Sequence, residues 1–180
     1  LAPLSVGEDT FVRCHSCGYA ANTEAVNVPV PASPSVWTDD PASIPPARPV
    51  DTPATPTIAT LVDLLNTRPD LARALDATES SRAWTAADTL KNVLVILRHP
   101  DGRREPLAIG VPGDRDVDMK RLEAQVSPAE PEAFTDADFA AHPALVKGYI
   151  GPQILGTHSS SGLRYLIDPR VVPGTRWVTG

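Results

Sequence analysis

Cysteine is scarce in this chain. Cys14 and Cys17 are the two cysteines among 180 residues, spaced C-x-x-C within "CHSCGYAAN" at 14–22. A structural zinc site takes about four ligands, usually from a second Cys or His pair. His15 lies between the cysteines, but His99, His142 and His158 stand apart without ligand spacing. A thioredoxin-like pair would sit where a strand enters a helix of a βαβ unit, and no such pattern surrounds this one. The residues then read as a reduced pair beside a strand turn, half of a site completed elsewhere, with a zinc module as the alternative. Positive charge is also short, at 16 Lys and Arg against 22 Asp and Glu for a net charge of −6. That excludes a surface that holds nucleic acid by bulk phosphate neutralisation, so any such contact must be local. No apolar run approaches the ~20 residues that span a bilayer, so no membrane partner is expected. The opening Leu1-Ala2-Pro3-Leu4 has neither an initiator Met nor a charged stretch ahead of an apolar one. It reads as a cut inside a longer protein rather than a signal peptide, and a cytoplasmic location follows.

What is abundant is proline. Nine of the 20 prolines fall between residues 29 and 56. Proline fixes φ and removes a donor, so that stretch excludes helix and central strand. It reads as a linker or an extended surface segment, with Trp37 able to pin it. Periodic order begins at Thr57, a cap for a helix whose apolar face is Ile58, Leu61, Val62 and Leu65. A second short helix opens at Pro69 and carries Leu71, Ala74 and Leu75 inward. "KNVLVILR" (91–98) is a buried strand, "HPDG" (99–102) a type I turn, and "EPLAIGVP" (105–112) the returning strand. Asp114 caps the next helix, with Met119, Leu122 and Val126 as its buried stripe. A helix runs from Thr135 to before Pro143, and "LRYLID" (163–168) and "RWVTG" (176–180) are late strands. Without a regular βαβ repeat, the class is α+β: a mixed sheet with helices around it.

Few side chains announce chemistry alone. "GYIGP" (148–152) can be an amide-lined anion nest or an ordinary turn. "THSSSG" (157–162) pairs His with Ser, but nucleophilic serine needs a rigidly held base, and a Ser/Gly run is usually a turn. Lys91 can be a snorkelling lysine or a cation over a pocket. "GDRDVDMK" (113–120) is most simply a capped helix with a charged outer face.

Taken in order, these stretches resemble one family. "FVRCHSCGYAANTEAV" (11–26) is similar to the segment of bacterial-type prolyl-tRNA synthetases that closes part of the class II core before a large insertion. "TLKN" (89–92), "GDRDVDMK", "GYIGP", "LIDPRVV" (166–172) and "WVTG" (177–180) are similar to that insertion. The resemblance implies three parts: a core remnant at 1–28, a Pro-rich linker at 29–56 and an editing domain at 57–180. The family's insertion hydrolyses alanine wrongly esterified to proline tRNA. A proline pocket cannot strongly exclude alanine, because each missing methylene forfeits only ~1–3 kcal/mol, so a second sieve is needed.

By resemblance, Lys91 holds a phosphate or ribose of the tRNA end. Gly148, Gly151 and Pro152 belong to the Gly-x-x-x-Pro loop whose amides stabilise the developing oxyanion. Thr89, Tyr149, Ile150, Asp168 and Asp114 fall to substrate binding, Asp168 by engaging the α-amino group. Water attacks with help from a substrate ribose hydroxyl, so no protein nucleophile and no cofactor is implied in this stretch. ATP and Mg belong to the parent core, and the partners are the 3′ aminoacylated end of tRNA(Pro) and the rest of a homodimeric parent. Two departures stand out: Pro112 occupies the place of an arginine before Gly-Asp, and a histidine used in editing falls beyond Gly180. A scaffolding insertion without catalysis is the competing reading. The editing reading expects a small cavity between the lysine and the glycine-proline bend, alanine-sized and closed to a proline ring.

Overall fold

The computed structural model describes residues 10–23, 25–26, 29, 46–72, 82–172 and 175–180. Trp37, Ala74, Leu75 and the first four residues lie outside them. A small hairpin comes first. Strands β1 (Phe11–Arg13) and β2 (Ala20–Asn22) pair antiparallel, and both cysteines sit in their turn as exposed free thiols. The Cys14 N–H donates to the Tyr19 carbonyl at 2.8 Å, and Gly18 takes φ +75° where the chain reverses. The backbone N–H of Cys17, then that of Ser16, holds the Cys14 thiol below its ordinary value. Arg121 donates to the Val26 carbonyl at 3.0 Å, tying the end of this segment to the main body.

Residues 46–56 form neither helix nor strand, as their prolines require. They run against α1 (Ile58–Thr67), with Arg68 donating to the Asp51 carbonyl at 3.3 Å. Thr57 caps α1 through a reciprocal capping box with Thr60, and Leu65 on the apolar face is buried. At Pro69 the structure has one 3₁₀ turn, Pro69–Leu71, whose Leu71 is buried.

The main sheet is built on a long hairpin. Strand β3 (Thr89–Arg98) pairs antiparallel with β4 (Arg104–Pro112) in continuous register from Leu90↔Pro112 to Arg98↔Arg104. The turn between them closes by Gly102 N–H to the His99 carbonyl at 2.9 Å, with Gly102 at φ +85°. Strand β6 (Arg164–Ile167) adds to β4 in parallel. The outer edge of β3 is shared: β7 (Val178–Thr179) pairs in parallel with Thr89 and Leu90, and β5 (Glu130–Ala133) pairs antiparallel with Val95–Arg98. With both parallel and antiparallel neighbours and helices outside it, the sheet is mixed and the class α+β.

Alternation along the strands makes two cores. Val95, Leu97, Leu107, Ile109 and Val111 face α2 (Met119–Val126) and bury its Leu122. On the reverse face Ala108 packs with Leu145, Leu155 and Leu163, bordered by Phe134, Phe139 and Tyr165. Each buried leucine contributes about 1.5–3 kcal/mol. The cap of α2 is Asp118, which accepts from the Arg121 N–H, and not Asp114. Met119, expected inside, is 40% exposed, because Val117 supplies the apolar contact ahead of the helix. Helix α3 (Asp136–Ala141) is capped by Thr135, and hydrogen bonds from Thr135, with the charge of Arg104 behind them, hold the Asp138 carboxyl below its usual range.

At the far end of the hairpin Glu105 gathers His99 Nε2 at 2.9 Å, Arg103 at 2.9 Å and Arg164 at 3.4 Å. Burial alone would raise this carboxyl, but the hydrogen bonds from Arg103 and His99 and the charge of Arg164 bring it below its ordinary 4.5. A lowered carboxylate stabilises the fold fully above that value and loses the contribution as pH falls through the folded one. Urea unfolding at pH 6 and pH 3.5 should therefore differ less in Glu105→Gln than in the parent protein. An equal difference would remove Glu105 from the acid response.

Candidate functional site

Lys91 is the third residue of β3, one past the β7 pairing. It is paired with Val111 and lies on the α2 face. Its Nζ contacts Asp116 Oδ1 at 2.7 Å, and that hydrogen bond holds the Asp116 carboxyl below its usual range. The two ends differ in setting: the Lys91 side chain is 28% exposed, whereas that of Asp116 is 97% exposed. A pair whose carboxylate is fully in solvent is weakly held, so an anionic ligand can replace the aspartate.

The neighbouring Asn92 points to the opposite face, as alternation requires. Its Nδ2 donates to the Ile150 carbonyl at 2.7 Å and to Thr179 Oγ1 at 3.2 Å. The Gly148–Pro152 loop is thereby held to β3 and β7. Gly148 takes φ +88°, and the Tyr149 N–H donates to the Val146 carbonyl at 2.9 Å. Gly151 then opens a 3₁₀ turn, Pro152–Ile154. Gly151 is buried against the chain after β7, where a Cβ would lie 1.9 Å from the Gly180 carbonyl oxygen. Among the described residues the Gly151 N–H donates to no acceptor. Buried amides are nearly always paired, so this one is an exception.

Lys91, Asn92, Gly148, Tyr149 and Ile150 border one groove of about 1200 Å³ that follows β7 and the start of β3. Its other walls are the 47–58 stretch, Leu61 and Leu65 of α1, Trp84, and residues 175–180. The sequence suggested a small closed cavity. The structure has a broad groove instead, and among the described residues that edge of β3 has no strand partner from Lys91 to Leu94.

Other residues named from the sequence, Gly151 and Pro152 among them, sit outside this lining. Thr89 is fully buried and its hydroxyl donates to the Ala86 carbonyl at 2.8 Å, a structural contact. Asp114 is on an exposed turn, 4.0 Å from Arg115 Nε. Asp168 follows β6, and its N–H donates to the Gly110 carbonyl at 2.8 Å. It shares the α2 face with Lys91, across two strand spacings of about 10 Å. Its carboxylate already accepts from the Arg170 N–H at 2.8 Å and guanidinium at 3.3 Å. The Ser159 hydroxyl donates to the Ile154 and Gly156 carbonyls at 2.7 and 2.8 Å, so it serves a turn and not a base. Sequence reasoning gave Asn92, Trp84 and Trp177 no role. For Asn92 the signal was present: an amide side chain directly ahead of the apolar run Val93–Leu97.

Residues 53–180, which include the whole groove apart from its 47–52 edge, match the family described as the aminoacyl-tRNA editing domain. The chain belongs to that family. The editing domain seen here also has whole-length likeness to curated proteins. It is 62% identical over 180 residues to a proline--tRNA ligase of Kineococcus radiotolerans, covering 100% of this chain and 28% of that protein. Proline--tRNA ligases of Cutibacterium acnes (56% over 184 residues) and a Nocardioides species (55% over 181) are covered to the same extents. The editing-domain chain thus spans about 28% of the length of the curated relatives it matches. Among the described residues no helix is long and apolar enough to cross a membrane.

Proposed function

We propose that this chain is the proofreading part of a proline--tRNA ligase and hydrolyses the ester of alanyl-tRNA(Pro). Its likeness over all 180 residues to part of such ligases supports the parent. In this reading residues 1–28 belong to the ligase core, 29–56 link, and 57–180 edit. The parent joins proline to tRNA(Pro) with ATP and Mg, as a homodimer in the cytoplasm. The observation that carries the reading is the groove bordered by both Lys91 and the Gly148–Ile150 stretch, with the unpaired Gly151 amide next in the chain.

The chemistry needs little from side chains. Lys91 leaves Asp116 for a phosphate or ribose oxygen of the tRNA end, as a point charge that fixes the ester's place. The Gly151 amide donates to the ester carbonyl oxygen as it gains charge. Water, deprotonated with help from the substrate's free ribose hydroxyl, adds to the carbonyl carbon. The ester C–O bond then breaks, releasing alanine and the tRNA hydroxyl. Catalysis here is positioning. The groove as a whole is far larger than an alanyl group, so the proline ring is refused locally, where Gly180 crowds against the Gly148–Ile150 stretch. Asp168 engages the substrate's α-amino group only by giving up part of its hold on Arg170.

The full-length protein should hydrolyse alanyl-tRNA(Pro) at least tenfold faster than prolyl-tRNA(Pro). Lys91→Ala should lower the alanyl rate about 10–100-fold, the value of one charge-assisted hydrogen bond of about 1.5–3 kcal/mol, and leave proline ligation unchanged. Single-turnover deacylation measures both. An unchanged Lys91→Ala rate removes Lys91 from the site, and no hydrolysis by the parent protein overturns the editing role.

A further inference from the structure

We infer that Asn92 is a positioning residue for the editing reaction, aiming the Gly151 amide by holding the Ile150 carbonyl, with Tyr165 locking its orientation. The inference rests on the proposed editing function and gives a role to two residues to which the resemblance assigned none.

The Asn92 side chain is fully engaged. The Ile150 carbonyl can only accept, so the Asn92 group facing it at 2.7 Å must be the NH₂. The carbonyl end of the amide then faces Tyr165, whose hydroxyl donates to Oδ1 at 2.7 Å. The second N–H of the amide reaches Thr179 Oγ1 at 3.2 Å. One side chain on β3 therefore fixes three separate pieces: the glycine loop, β7 and β6. Tyr165 is half-buried, and burial pushes its phenol up to about 12, so it remains a donor throughout the working pH range. It has room because position 110 is glycine: a Cβ there would lie 2.4 Å from the Tyr165 hydroxyl.

The consequence follows from peptide geometry. The Ile150 C=O and the Gly151 N–H belong to one rigid plane and point in opposite directions. Pinning the carbonyl to Asn92 fixes where the Gly151 N–H points, and that N–H is the unpaired donor of the proposed site. Asn92 borders the groove, but its amide is taken up by Ile150, Thr179 and Tyr165. Its effect should therefore fall on the rate of the bound complex and not on binding.

The test uses the full-length protein carrying Asn92→Asp, Tyr165→Phe or both. Asn92→Asp keeps the shape and the acceptor for Tyr165 but sets a carboxylate oxygen against the Ile150 carbonyl. It should lower kcat for alanyl-tRNA(Pro) about tenfold or more, with KM within about twofold. Tyr165→Phe should lower kcat about 3–10-fold, and the double variant should be no slower than Asn92→Asp, because both act through one amide. Hydrogen–deuterium exchange of the 148–155 segment should quicken in Asn92→Asp while the β3–β4 hairpin keeps its protection. A parent protein that hydrolyses normally alongside an unchanged Asn92→Asp overturns this inference alone. If the parent protein does not hydrolyse the ester, the editing function fails, and with it any catalytic role for Asn92. Unchanged exchange in the 148–155 segment overturns the positioning role whatever the rates.

Discussion

Alanine at position 151 should slow alanyl-tRNA(Pro) hydrolysis by the full-length protein more than about 100-fold, the usual effect of losing one oxyanion donor. The obstacle is space and not conformation, since Gly151 has φ −107°, open to any residue. A Cβ there meets the Gly180 carbonyl oxygen at 1.9 Å and Gln153 Oε1 at 2.2 Å. The glutamine can swing away. The Gly180 carbonyl is backbone, continuous with β7, so either the loop or the strand must retreat by more than an ångström. A shift of that size takes the amide out of hydrogen-bond reach of the ester. Single-turnover rates within threefold of the parent protein would mean that the Gly151 amide is not the oxyanion donor.

Gly113→Ala should have the opposite profile, a loss of stability of about 3 kcal/mol, the upper end of what overpacking usually costs. Its Cβ would lie 2.0 Å from Thr89 Oγ1 and 2.8 Å from the Ala86 carbonyl oxygen. Neither neighbour can give way easily. Thr89 is fully buried with its hydroxyl bonded to Ala86, and the Gly113 N–H donates to the Thr89 carbonyl at 2.7 Å. The residue that leaves β4 is thus locked to the residue that begins β3. Urea unfolding measures the effect, and a change below about 0.5 kcal/mol would show that the turn relaxes at no cost.

Much of the fold was legible because its signals are local. The Thr57 cap, the apolar face of α1, the β3–β4 hairpin and the Thr135 cap each occupy a few consecutive residues, and each is found where it was read. The signal failed where several residues were equally competent. "GDRDVD" offers three aspartates as caps, and the choice of Asp118 depends on Val117 packing against the sheet, a tertiary fact. Strand β5 was missed because "EPEA" has no strand character. It exists through its partner, with Arg98 pairing with Glu130 and, at 2.6 Å, with Glu132. Its Pro131 is tolerated because this is an edge.

The candidate site was legible as residues but not as a shape. Lys91 and the glycine loop were picked out, yet alternation sets Lys91 on one face of β3 and sends Asn92 to the loop on the other. No pattern in the chain predicts that both faces open onto one groove.

The contact between Lys91 and Asp116 has a bearing on discrimination. A lysine neutralised by its own chain presents little field to a polyanion passing at a distance, and the net charge of −6 adds repulsion. Arbitrary nucleic acid gains nothing by lingering there. A strand end delivered to the groove by contacts elsewhere on a ligase can displace the carboxylate at close range. In the proposed role, the resident counter-ion makes entry conditional on delivery.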